Sequence, residues 1–170
     1  MNKVYLIGFM GVGKSTVGKK LASFLSYEFI DTDKVFEKKY KLGIDTFFSK
    51  YGEDLFRKLE HEILLSTFSK KNCIISTGGG MPCFMDSIQQ INNNGLSVYL
   101  HMNEKAILSR LLSSKQKRPL VKNMNESELL TFVNNSLIKR NQYYCEANIT
   151  VSALSIGIED LANQIQERLQ

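Results

Sequence analysis

The stretch Gly8-Phe9-Met10-Gly11-Val12-Gly13-Lys14-Ser15 decides how the rest of the chain is read. Its pattern is Gly, four residues, Gly, Lys, Ser, which forms a phosphate-binding loop when a strand precedes it and a helix follows. Both flanks comply. Upstream, Val4-Tyr5-Leu6-Ile7 is a short apolar run ending at Gly8. Downstream, Lys14 to Leu25 carries Val17, Leu21, Phe24 and Leu25 at three- and four-residue spacing, the apolar stripe of a helix. Gly8, Gly11 and Gly13 permit positive φ and let backbone N–H groups approach phosphate oxygens with no Cβ in the way. The helix that opens near Lys14 points its positive dipole end at the same place. Lys14 is then set to reach the β- and γ-phosphates of a nucleotide, and the Ser15 hydroxyl to ligate Mg²⁺. The plainer reading, a glycine-rich turn that merely joins strand to helix, leaves the Gly-Lys-Ser ending unexplained.

Composition limits what such a loop belongs to. With 170 residues, 43% of them hydrophobic, the chain can bury one good core, so a single domain over 1–170 is expected. Cys73, Cys83 and Cys145 are odd in number and far apart, which suits neither a disulfide framework nor a zinc site and points to a reducing cytoplasm. Lys3 followed by Val4 to Ile7 resembles the start of a secretion signal only until the glycines and Lys14 interrupt it. No stretch reaches the roughly 18 apolar residues of a membrane span, so no membrane partner is expected. The net charge of +5 is spread along the chain without a helix-turn-helix, zinc or aromatic-basic signature. Nucleic acid is therefore not expected, whereas anionic small molecules fit a mild positive balance. A monomer is expected.

Short apolar runs alternate with helical segments, which predicts an α/β fold with a parallel sheet and helices on both faces. After Val4–Ile7, strands are expected at Glu28–Ile30, Cys73–Ser76, Leu96–His101 and near Ile149–Val151. About forty residues of amphipathic helix, broken near Gly43 and Gly52, separate the second and third strands, more than a crossover needs, so part of them forms a flap or small subdomain. Ser113 to Asn125 is rich in Lys, Ser, Asn and Gln and reads as a mobile loop around Arg118-Pro119. A last helix, Ile158 to Leu169, carries Leu161, Ile165 and Leu169 on one stripe.

Ligands of open α/β sheets gather beyond the carboxyl ends of the strands. Three such ends carry unusual residues: the phosphate loop, Asp31-Thr32-Asp33, and Gly78-Gly79-Gly80. Taken singly, Asp31-Thr32-Asp33 also reads as the N-cap of a helix starting near Lys34, a role open to Asp33 too, and the glycines as a flexible turn.

Together these pieces resemble the shikimate kinase family, in the nucleoside-monophosphate-kinase-like branch of phosphate-loop proteins. The matching segments are Gly8 to Thr16, Asp31-Thr32-Asp33, Gly52 to Glu60 with its Phe56-Arg57-x-x-Glu60 core, Ser76 to Gly80, Lys117-Arg118-Pro119-Leu120, and Lys139-Arg140 before Tyr144. The resemblance implies a three-layer αβα fold with a five-stranded parallel sheet of order 2-3-1-4-5, a flap over about 33–60 and a lid over about 113–124. It also implies transfer of the γ-phosphate of MgATP to the 3-hydroxyl of shikimate, in chorismate and aromatic amino-acid synthesis. ATP would then meet Gly11, Val12, Gly13, Lys14, Ser15, Thr16, Arg110 and Arg118, while Ser15 and, through water, Asp31 hold Mg²⁺. Shikimate would meet Asp33, Arg57, Gly78, Gly79, Gly80 and Arg140, with Lys14, Asp33 and Arg118 serving the transfer itself.

The chemistry is sound residue by residue. Arg57 and Arg140 offer fork-shaped cationic donors for a carboxylate, Asp33 accepts from the reacting hydroxyl, and Glu60 at i+3 is placed to orient Arg57. Arg57 and Arg140 also read as solvated helix cations, and Arg110 as a surface cation. Three departures from the family pattern stand out: the glycine near the flap hinge is shifted to Gly43, and the segment after Arg140 lacks the common proline and is one residue short before Ala147, so Lys139 competes with Arg140. The adenine contacts near the C-terminus are too variable to assign. A gluconate- or nucleotide-type kinase is the other enzyme reading, and a non-catalytic ATP-binding module the reading from another class. That module would need neither Asp33 nor the two arginines.

Overall fold

The computed structural model describes residues 2–114, 121 and 124–169. Arg118 and its neighbours Lys117, Pro119 and Leu120 lie outside the described residues, as does much of the expected lid.

Strands β1 (Lys3–Ile7), β2 (Glu28–Asp31), β3 (Cys73–Ser76), β4 (Leu96–His101) and β5 (Ile149–Ser152) form an all-parallel sheet in the order β2-β3-β1-β4-β5. Each lies within one residue of the predicted run, because glycine, proline or polar punctuation bounds short segments suited to burial on both faces. Along β1, Val4 and Leu6 enter one core while Tyr5 and Ile7 enter the other, as the two-residue period of a strand requires.

The helices are α1 (Lys14–Leu25), α2 (Thr32–Tyr40), α3 (Ile44–Tyr51), α4 (Glu53–Thr67), α5 (Ser87–Asn94), α6 (Glu104–Ser113), α7 (Glu126–Tyr144) and α8 (Ile158–Leu169), with a 3-10 turn at Met81–Cys83. Leu21 of α1, Ile107 of α6, Val133 of α7 and Leu161 and Ile165 of α8 cover one sheet face. Leu64 of α4, Ile88 and Ile91 of α5 and Tyr144 at the end of α7 cover the other. The result is the expected three-layer αβα arrangement.

Two expectations are corrected. Phe24, placed on the inward stripe of α1, is 52% exposed; Leu21 is buried and Leu25 packs against the core, so Phe24 falls at the edge of the stripe. The helix after β2 begins at Thr32 rather than near Lys34, and its cap is Asp31, not Asp33. Asp31 is the last residue with extended backbone before the helix and accepts from the N–H groups of Asp33 and Lys34.

The excursion between β2 and β3 breaks near Gly43 and at Gly52, as expected. It has its own core: the Phe36 ring of α2 lies 5.0 Å from Phe47 of α3 and 4.8 Å from Phe56 of α4. It is thus a packed subdomain and not a loose loop.

Register aligns the strand ends that matter. Ser76 of β3 pairs with Leu6 of β1 on one side and Asp31 of β2 on the other. Just beyond, Thr77 donates through its N–H and its hydroxyl to the Leu6 carbonyl, and Thr32 accepts from the Gly78 N–H at 3.0 Å.

Candidate active site

Gly8, Gly11 and Gly13 adopt φ of 138°, 84° and 99°, conformations that side chains rarely tolerate. Gly13 caps α1, so the loop delivers its N–H groups at the helix N-terminus. Val12 beneath it is buried, while Ser15 and Thr16 in the first turn are exposed. The buried Lys14 ammonium folds over the loop and donates to the carbonyls of Gly8 at 2.7 Å and Phe9 at 2.9 Å. Arg110 of α6 donates to the Val12 carbonyl at 2.9 Å, which sets it against the back of the loop.

The Ser15 hydroxyl donates to Asp31 Oδ2 at 2.6 Å, so the first turn of α1 and the end of β2 meet through hard oxygen groups. Among the described residues no cluster of three or more His, Cys, Asp or Glu could hold a metal. The donor set suits an ion that keeps waters and phosphate oxygens as its remaining ligands, which is the habit of Mg²⁺.

Beside the loop lies a cavity of about 310 Å³ on which Asp33, Arg57, Glu60, the three glycines and Arg140 converge. The glycines explain their own presence. A Cβ on Gly78 would stand 2.9 Å from Asp33 Oδ1 and 2.5 Å from Glu60 Oε1; one on Gly80 would stand 2.7 Å from both terminal nitrogens of Arg57. One on Gly79 would lie 3.4 Å from the Gly8 carbonyl oxygen and the Met10 nitrogen of the phosphate loop, and 3.5 Å from Arg140 Nη1. The turn therefore has two carboxylates against Gly78, the phosphate loop and the Arg140 guanidinium against Gly79, and the Arg57 guanidinium against Gly80.

Arg57 is held on two edges. Its Nη1 donates to Glu60 at 2.7 Å, while Nε and Nη2 donate to Glu53 at 3.1 and 2.9 Å, and Phe84 lies over its face at 4.3 Å. Burial pushes the Glu60 carboxyl up to about 6, and Asp33 adds to the rise while the Arg57 charge opposes it. Arg140 lines the cavity and lies over the Phe9 ring at 5.4 Å, whereas Lys139 is exposed. Sequence reading missed Glu53 and Tyr144. Both were accessible through spacing, since Glu53 precedes Arg57 and Tyr144 follows Arg140 by four residues, one helical turn on the same face.

Comparison with known proteins places the sequence and the fold. The family model described as Shikimate kinase matches residues 10–170. A shikimate kinase of Azobacteroides pseudotrichonymphae is 38% identical, covering 99% of this chain and all of that protein. The crystal structure of shikimate kinase from Bacteroides thetaiotaomicron superposes with a TM-score of 0.92 at 34% identity, covering 99% of this chain and 98% of that one. Shikimate kinase from Acinetobacter baumannii, solved in complex with shikimate, gives a TM-score of 0.84 at 32% identity over 99% and 93% of the two chains. With likeness in sequence and in fold running from end to end, this chain belongs to the shikimate kinase family.

Proposed function

We propose that the protein transfers the γ-phosphoryl group of ATP to the 3-hydroxyl of shikimate, giving shikimate 3-phosphate and ADP, for chorismate and aromatic amino-acid synthesis. The observation that carries this reading is the glycine turn alongside the phosphate loop, with Asp33 against Gly78, Arg140 against Gly79 and Arg57 against Gly80. Shikimate has a carboxylate and three hydroxyl groups, and the two ends match it. Arg57 and Arg140 take the carboxylate through charge-assisted hydrogen bonds of roughly 1.5–3 kcal/mol each. Asp33 accepts from the 3-hydroxyl, and the backbone N–H groups of Gly79 and Gly80 reach the ring, while Gly78, whose N–H is taken by Thr32, lines the pocket.

The oxygen of that hydroxyl attacks the γ-phosphorus as the bond to the β,γ-bridging oxygen breaks. ADP departs, and the hydroxyl proton passes to Asp33 or solvent. Because such transfer is largely dissociative, alignment of the hydroxyl by Asp33 counts for more than early proton removal. Gly11 to Gly13 and Thr16 cradle the nucleotide phosphates, with Arg110 on the adenosine side. Lys14 exchanges its loop carbonyls for the β- and γ-phosphates and, with Arg118 from the lid, steadies charge on the moving group. Ser15 and, through water, Asp31 are the residues that would hold Mg²⁺. When bound, the ion supplies charge neutralisation on the phosphates. Closure of a lid over about 113–124 and a flap over about 33–60 on a single monomeric domain excludes water that would otherwise hydrolyse ATP.

A coupled assay for ADP with shikimate, gluconate and nucleoside monophosphates tests the reading. Turnover is expected with shikimate alone. Equal ATP consumption with and without shikimate, or faster turnover with gluconate, overturns it.

A further inference from the structure

We infer that Tyr144 is a positioning residue of the acceptor pocket: by hydrogen-bonding the Gly79 carbonyl, its phenol fixes the glycine turn between the phosphate loop and Arg140. The inference rests on the acceptor site proposed above. Tyr144 follows Arg140 by one turn of α7, so both side chains leave the same helix face. The Tyr144 side chain is fully buried, its ring tilted against that of Tyr99 at a 5.0 Å centroid distance, and its hydroxyl donates to the Gly79 carbonyl. The Arg140 charge acts on the same phenol, opposing the rise that burial gives its pKa. Burial holds the phenol far above its ordinary range, so it remains a proton donor wherever the protein is folded.

Gly79 is the residue for which a small displacement matters most. It has the loop atoms Gly8 O and Met10 N on one side and Arg140 Nη1 on another, all within 3.5 Å of the space a Cβ would fill. Its N–H and that of Gly80 are the groups proposed to meet the acceptor. A carbonyl left without its buried partner must find another, and rotating that peptide turns the following N–H with it. Tyr144 thus acts through Gly79 and Arg140 and does not touch the reacting atoms.

The test is Tyr144→Phe, which keeps the ring and removes the donor. The expected result is a rise of about tenfold in KM for shikimate, with KM for ATP unchanged and kcat little altered, the signature of lost acceptor binding. Tyr99→Leu serves as the packing control, since it removes the neighbouring ring and spares the hydroxyl; a lower Tm with unchanged KM is expected. If Tyr99→Leu raises the shikimate KM as much as Tyr144→Phe, packing alone accounts for the effect and the inference falls. Arg140→Ala separates the two layers. Should it leave the shikimate KM unaltered, the acceptor-site reading fails. Should it raise KM while Tyr144→Phe does not, only the positioning role fails. In the double variant the two effects are expected to be less than additive, because both side chains neighbour Gly79.

Discussion

At Gly80 the absence of one carbon is a chemical requirement. A methyl there would stand 2.7 Å from both terminal nitrogens of Arg57, so the guanidinium would have to leave its place between Glu53 and Glu60. Gly80→Ala is expected to raise the shikimate KM more than about tenfold while leaving ATP affinity intact, a split visible in steady-state kinetics. Asp33→Asn keeps the shape of the side chain and loses its charge; a fall in kcat of about a hundredfold or more with ATP binding retained by calorimetry is expected. Glu60 adds a pH dependence. Ionised above about 6, it holds Arg57 at 2.7 Å; protonated below, it releases that hold. Activity at low shikimate should therefore fall as pH drops through about 6, and Glu60→Gln should flatten that limb of the profile. Stability moves the other way. The folded value lies above the ordinary 4.5, so this group favours the fold most below 4.5 and loses about 2 kcal/mol of that contribution as pH rises through 6. Denaturation of wild type against Glu60→Gln at several pH values reads it directly. Asp33, Arg57 and Arg140 were legible in sequence because each belongs to a short motif at a strand end or on a helix. The Tyr144 bond to Gly79 was not, since it joins residues 65 positions apart.

Among the elements, α2 shows one carboxylate serving two structures. Asp31 caps α2 through Oδ1 and receives the Ser15 hydroxyl through Oδ2, linking the helix after β2 to the helix after β1. Substitutions separate the roles. Asp31→Asn keeps a capping oxygen, so its Tm should stay near wild type while the Mg²⁺ concentration for half-maximal activity rises several-fold. Asp31→Ala should show the same rise and lose about 1 kcal/mol of stability as well. The strands and the first and last helices were readable because short apolar runs and regular stripes are local signals. The start of α2 was not, because Asp31 and Asp33 are equally good caps by residue type and only the backbone decides between them. Helix α7 gave little notice of itself, for its buried residues Leu129, Val133 and Tyr144 are sparse among Asn, Gln, Lys and Arg.

For the whole molecule, the separate aromatic core of α2, α3 and α4 implies that this unit can loosen while the sheet stays intact. Phe36 touches Tyr40, Phe47 and Phe56 and is buried, so Phe36→Ala should cost about 3–5 kcal/mol. Hydrogen exchange should show that loss in amides of α2, α3 and α4 well before those of β1, β3 and β4. The existence of an extra unit here was legible from segment length and two glycines; its independent core needs the three helices brought together, which spacing along the chain does not report. The sheet order has one more consequence. With β3 lying between β2 and β1, the carboxylate after β2 and the phosphate loop after β1 stand two interstrand steps apart, about 10 Å. That gap is metered by peptide ladders rather than by flexible side chains, so the span available for an acceptor is a built-in gauge that substitutions in the pocket can decorate but not rescale.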